Sequence, residues 1–60
     1  MSDRMLTPRE LAERWSKSEK TLETYRRNGE GPAFVRLGRQ VRYRESDVKR
    51  WEAENTVTTH

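Results

Sequence analysis

The sequence predicts a small α+β domain of three short helices and one two-stranded hairpin, and three stretches carry that expectation. "LTPRELAERW" (Leu6 to Trp15) opens a helix, with a threonine cap, a proline directly after it and a glutamate three residues beyond the cap. "VRLGRQVRY" (Val35 to Tyr43) alternates apolar residues with polar ones, mostly arginine, on both sides of a glycine, which is the period of a strand pair. "ESDVKRWEAE" (Glu45 to Glu54) returns to helical spacing and begins with acidic residues, as a helix start favours.

Composition narrows the class. Sixty residues make one domain with a small core, since a chain of this size buries only about 60% of its unfolded surface. There is no cysteine, so neither a disulfide framework nor a thiolate zinc site can assist, and a cytoplasmic setting is expected. No apolar run approaches the roughly 20 residues of a membrane span, and no signal-peptide pattern opens the chain, so a soluble domain without a membrane role is expected. At 38% charged and 30% hydrophobic the composition borders on disorder, but its apolar residues are too regularly spaced for a disordered chain. The charges are segregated. Arg14 to Arg44 holds nine basic against three acidic residues, while the two ends together hold four basic against seven acidic ones. A chance excess of surface arginine is the plainer explanation. A face built for a polyanion accounts better for the segregation, and nucleic acid is the commonest cytoplasmic polyanion.

In order along the chain, the first helix spans about 8–15. Thr7 is its N-cap, Pro8 its first residue, and Glu10 completes a capping box. Leu6 and Leu11 make a hydrophobic staple across the cap, and Leu11, Ala12 and Trp15 share a core stripe. The second helix spans about 18–28. Both Ser16 and Ser18 have capping spacing at its start, and Gly29 in "NG" is the left-handed residue that ends it. At 100° per residue, Leu22, Tyr25 and the stem of Arg26 fall on one side; Lys20, Thr24 and Arg27 fall on the other, flanked by Thr21 and Glu23. Two short helices about three residues apart read as a helix-turn-helix, although an ordinary αα-hairpin with a solvated polar face has the same spacing.

After the "GEGPAF" loop the hairpin spans about 33–44. A two-residue Gly38–Arg39 turn suits glycine chemistry, but it sets Val41 opposite Arg36. A three-residue loop of Gly38, Arg39 and Gln40 instead gathers Val35, Leu37, Val41 and Tyr43 on one face. That arrangement is expected, because burying four apolar side chains outweighs a turn preference of about 1 kcal/mol. The other face then carries Arg36, Arg42 and Arg44, with Phe34 at its base and Arg39 at the tip. The third helix, about 45–54, buries Val48 and Trp51, and Glu45–Lys49 and Arg50–Glu54 have ion-pair spacing. Trp15 and Trp51 are expected in the core rather than as anchors for a partner. Residues 6–54 form the domain and 55–60 a disordered tail.

Catalytic constellations are not apparent. His60 is the single histidine and lies at the terminus, the carboxylates lack metal-cage spacing, and the glycines are separate turn residues. The expectation is a protein that is not an enzyme, with no cofactor and no metal site.

The order helix, turn, helix, Gly-Pro loop, hairpin, helix resembles the small excisionase-like family related to the DNA-binding domains of MerR-type regulators. The resemblance runs from Leu6 to about Glu54 and rests on "S..TL..YRR.G..P" and "GRQVRY…DV..W" in register. It implies a winged helix-turn-helix fold, in which the second helix enters the major groove and the hairpin, or wing, reaches the backbone or the adjacent minor groove. It also implies a phage-type excisionase, a recombination directionality factor that binds repeated sites cooperatively, bends DNA and directs an integrase toward excision. The setting would be the nucleoid of a bacterial host. In such families the turn between the helices usually carries a glycine and an inward aliphatic residue; Ser16 and Lys17 stand there instead. Lys17 can lay its stem on the core while its ammonium meets phosphate. Glu19 and Glu23 occupy positions where basic or aromatic residues are common, and a glutamate can accept from cytosine N4.

The expected partners are double-stranded DNA, a phage integrase and neighbouring copies of the same chain. Lys20, Thr24 and Arg27 should face the major groove, with Ser18, Thr21 and Lys17 near phosphate and Arg36, Arg39, Arg42 and Arg44 along the wing. Two other readings compete: a small MerR-like transcriptional regulator, and a protein-interaction module such as an anti-repressor.

Overall fold

Thr7 and Glu10 set the first helix as the sequence predicts. In the computed structural model, which describes residues 3–57, Glu10 N donates to Thr7 Oγ1 at 3.1 Å and Thr7 N to Glu10 Oε1 at 2.9 Å. The elements are β1 (Met5–Leu6), α1 (Pro8–Trp15), α2 (Glu19–Arg27), β2 (Val35–Leu37), β3 (Gln40–Arg44) and α3 (Glu45–Glu54). They form the expected small α+β architecture, consistent with a winged helix-turn-helix.

Both ends of the helix–helix turn are hydrogen-bonded through the backbone. After α1, Ser16 adopts the left-handed conformation (φ 55°, ψ 42°). Ser16 N then donates to Glu13 O and Lys17 N to Ala12 O, the two bonds of a Schellman motif. That role leaves Ser18 as the cap of α2, its Oγ accepting from Thr21 N at 3.1 Å. Gly29 (φ 73°) closes α2 in the same way, with Glu30 N donating to Tyr25 O at 2.7 Å. A left-handed conformation costs a residue with a Cβ about 1–2 kcal/mol, whereas glycine loses about 0.5–1 kcal/mol more chain entropy on folding. Ser16→Gly should therefore stabilise the domain by about 0.5–1 kcal/mol, read as a higher urea midpoint at unchanged m.

The sheet is antiparallel in the order β1-β3-β2. Strand β1 is not evident from the sequence, because two residues carry no period; it pairs Met5 with Arg44 and Leu6 with Tyr43. The wing register corrects the expectation. Val35 pairs with Arg42, Arg36 with Val41 and Leu37 with Gln40, so the loop is the two-residue Gly38–Arg39 turn with Gly38 at φ 64°. Directly paired residues share a face. Arg36 therefore lies on the side of Val41 and Tyr43, while Val35 and Leu37 lie on the outer side with Arg42. The expected face of four apolar residues is divided. Tyr43 is 2% exposed and Leu37 55% exposed. The reason is coverage: the core lies beneath the inner face of β3 and does not reach the wing's end. Register therefore offers little burial at Leu37, and the turn preference decides.

The buried residues Leu6, Leu11, Ala12, Leu22, Val41, Tyr43 and Val48 draw on five of the six elements. Trp15, Tyr25 and Phe34 pack against them half-buried. Trp15 and Trp51 stack at 5.1 Å between centroids and Tyr25 lies 6.2 Å from Trp51. Both tryptophans are thus half-buried, and neither is enclosed in the core.

Polar clamps complete the fold. Arg14 donates to both oxygens of Glu52 at 2.8 Å, and Trp15 Nε1 donates to Glu52 Oε2 at 2.6 Å, tying α1 to α3. Arg44, the residue before α3, makes no side-chain cap. Asp3 takes that place, accepting from Ser46 N at 3.2 Å and Ser46 Oγ at 2.6 Å. Glu45 and Lys49 approach to 3.9 Å, but Arg50 and Glu54 form no ion pair. Of the tail expected over 55–60, residues 58–60, including His60, lie outside the described residues. Thr56 Oγ1 still donates to Glu52 O at 2.6 Å.

Three of these carboxyls are held below their ordinary values. Hydrogen bonds from Arg14 and then Trp15 lower Glu52, the Ser46 hydroxyl lowers Asp3, and the Thr7 backbone N–H lowers Glu10. A lowered folded-state pKa means that the unfolded chain takes up protons first as pH falls. The stabilisation is complete above the ordinary values of 4.5 for Glu and 3.8 for Asp, and is lost as pH falls through the folded ones. Urea midpoints should hold from pH 7 to about 5 and fall below that. Glu52→Gln should flatten part of the acid limb; an identical limb in the variant would remove Glu52 from the account.

Candidate nucleic-acid interface

Helix α2 and the wing bring basic side chains to one crevice. Leu22 is buried, and Tyr25 and Arg26 are half-buried on the inner side of α2, which turns Lys20, Glu23 and Arg27 outward. Lys20 and Arg27 side chains are 71% and 65% exposed. An α-helix is about 10–12 Å across with its side chains, and a B-DNA major groove of about 12 Å width admits one. The two-residue turn sends Arg36 and Arg39 toward α2, and the crevice between them is lined by Glu23, Arg26, Arg27, Arg36, Arg39 and Val41. Four arginines and one glutamate thus line it.

Arg26 was legible only as an inward stem. Its Nη1 donates to the hydroxyl of buried Tyr43 at 2.6 Å, joining α2 to the central strand. Its guanidinium carbon and that of Arg36 each lie 5.8 Å from the centre of the Phe34 ring. Phe34 therefore orients the crevice at its base through cation–π attraction. The signal available in the sequence was an arginine at an inward helical angle with an aromatic residue just before the wing.

The remaining expected site residues divide into two groups. Lys17 and Ser18, just before α2, are exposed, and Thr21 in its first turn is half-buried. The Ser18 hydroxyl lies 3.0 Å from that of Thr21 while it caps the helix. Thr24 sits between Lys20 and Arg27 and spends its hydroxyl proton on Lys20 O at 3.1 Å. Its oxygen and methyl are what remain for a ligand.

Arg42 and Arg44 do not join Arg36. The register puts them on the outer face, where Arg42 donates to Val41 O at 2.8 Å and Arg44 lies 3.8 Å from Asp47. The single basic face expected for Arg36, Arg42 and Arg44 is corrected to two, and of the wing arginines Arg36 and Arg39 line the crevice beside α2.

The protein family described as a helix-turn-helix domain matches residues 5–56, from β1 to just past α3. No curated protein and no solved structure matches the chain.

Proposed function

The chain belongs to the helix-turn-helix domain family, a DNA-binding family that includes excisionase-like proteins, and from that premise we propose a sequence-specific architectural protein of the excisionase type. Lys20, Thr24 and Arg27 read base edges in the major groove. Lys17, Ser18 and Thr21 hold the flanking phosphates, and Arg36 and Arg39 follow the backbone into the next minor groove, where a narrow A·T-rich segment attracts arginine. Arg42 and Arg44, on the outer face, add long-range attraction more than contact.

One observation carries this reading: the arginine-lined crevice between α2 and the wing. Cations from two separate elements converge there, which suits a duplex better than it suits a single small anion. One helix and one wing bury only roughly 600–1,000 Å² on DNA. Selectivity is better built from copies on adjacent repeats, each sharing a bend that costs about 1–6 kcal/mol. An integrase that needs its sites bent together is the matching partner. The chain itself performs no chemistry in this reading.

Selection of bound sequences from a random duplex library tests it, followed by titration against one, two and three copies of the selected site. Affinity per site and bend angle that rise with copy number, and excision by a matching integrase that depends on the protein, are the expected results. Equal affinity at every copy number without a growing bend would leave a simple transcriptional regulator. No salt-dependent binding to any duplex at micromolar protein would leave a protein-interaction module.

A further inference from the structure

We infer that Glu23 is the specificity-determining residue of the DNA-reading face. Its carboxylate withholds Lys20 and Arg27 from indiscriminate phosphate binding and releases them only over a base that offers an amino group, cytosine before all others. This inference rests on the duplex-binding reading above and names which contact makes that binding selective.

The geometry is local and explicit. Glu23 Oε1 lies 3.6 Å from Lys20 Nζ and 3.1 Å from Arg27 Nη2, and Arg27 donates a hydrogen bond to it. One carboxylate oxygen therefore holds both of the most exposed cations on the outward face of α2. Glu23 is itself half-exposed and lines the crevice with Arg26, Arg27, Arg36 and Arg39. Nothing in the fold requires it there. Helix α2 is already capped by Ser18, closed at Gly29 and seated by Leu22.

A carboxylate on a face that must approach phosphates is repelled by them, and its ion pairs occupy the cations that would otherwise neutralise them. Both effects weaken binding to an arbitrary duplex, where the helix rides on the backbone. At a cognate site the carboxylate meets a donor instead, and cytosine N4 is the natural partner of a glutamate in the major groove. Accepting that bond compensates the lost ion pairs and leaves Arg27 and Lys20 to nearby bases or phosphates. Arg27 lies four residues, about 6 Å along the axis, from Glu23. It therefore reaches roughly two base steps away, at 3.4 Å per step.

The test uses the full chain, Glu23→Ala and Glu23→Gln, each checked for parent-like folding by circular dichroism and thermal melting. Binding is measured on the selected duplex, on that duplex with its cytosine position changed to each other base, and on random-sequence duplex, across a salt series. Glu23→Ala should bind random duplex about 3- to 10-fold more tightly, with a log–log salt slope steeper by about 1–2 as the released cations find phosphates. It should lose about 5- to 150-fold of discrimination at one base position. Glu23→Gln keeps the shape without the charge, and the preference there should move from cytosine toward adenine. Variants that keep the parent's base preference at every position and its affinity for random duplex would overturn this inference while the DNA-binding reading stands. A parent that shifts no duplex would overturn both.

Discussion

Leu22→Ala should cost the domain most of its stability, about 2–5 kcal/mol. Leu22 is 1% exposed and is the one fully buried residue of α2. It fastens α2 to a core of seven buried hydrophobic residues among those described. At about 0.05–0.15 kcal/mol per residue, a chain of 60 residues has on the order of 3–9 kcal/mol to lose. The variant should be largely unfolded near 37 °C and bind DNA only as far as it refolds upon it. Circular dichroism at 222 nm through a urea titration measures the loss, with Leu22→Met as the volume-conserving control at under about 1.5 kcal/mol. A Leu22→Ala protein that melts within about 0.5 kcal/mol of the parent would mean that the other elements hold the fold without α2.

Simultaneous replacement of Arg36 and Arg39 by alanine should weaken DNA binding about 30-fold at 0.15 M salt. The magnitude follows from counterion release, which contributes about 0.9 to the log–log slope per neutralised phosphate, or about fivefold in affinity at that salt. The slope should become shallower by about 2. Replacing Arg42 and Arg44 removes the same formal charge, yet it should cost several-fold less. The observed pairing puts those two on the outer face, away from α2. The comparison is decisive about the wing because the two double variants differ only in which face loses its arginines. Equal losses from both pairs would mean that the duplex touches both faces of the hairpin, against the docking proposed here. Stability of the variants separates this effect from folding, since all four side chains lie outside the buried core.

The features legible in the sequence are those decided within a few residues. Thr7 and Glu10 are three apart, as are Ser18 and Thr21, and Gly29 closes its helix onto Tyr25 and Arg26. A cap depends on side-chain length and backbone conformation over a single turn, so composition at fixed spacing is enough to identify it. The outward group Lys20, Thr24 and Arg27 follows from the same helical period. The choice of Ser18 over Ser16 already needed the backbone, because Ser16 was required for the left-handed turn after α1.

Only the tertiary structure decided the rest. The pairing of Met5 and Leu6 with β3, the reach of Asp3 to Ser46, the grip of Arg14 and Trp15 on Glu52, and the bond from Arg26 to Tyr43 join residues 17 to 43 positions apart. No local period encodes such partners. The wing register is the clearest case. Apolar alternation favours one loop length and glycine chemistry the other, and the balance turns on what covers the face. Burial contributes only where another element excludes water. The core covers Val41 and Tyr43 and does not extend to Leu37, so the alternation that indicates two strands cannot say how they are paired.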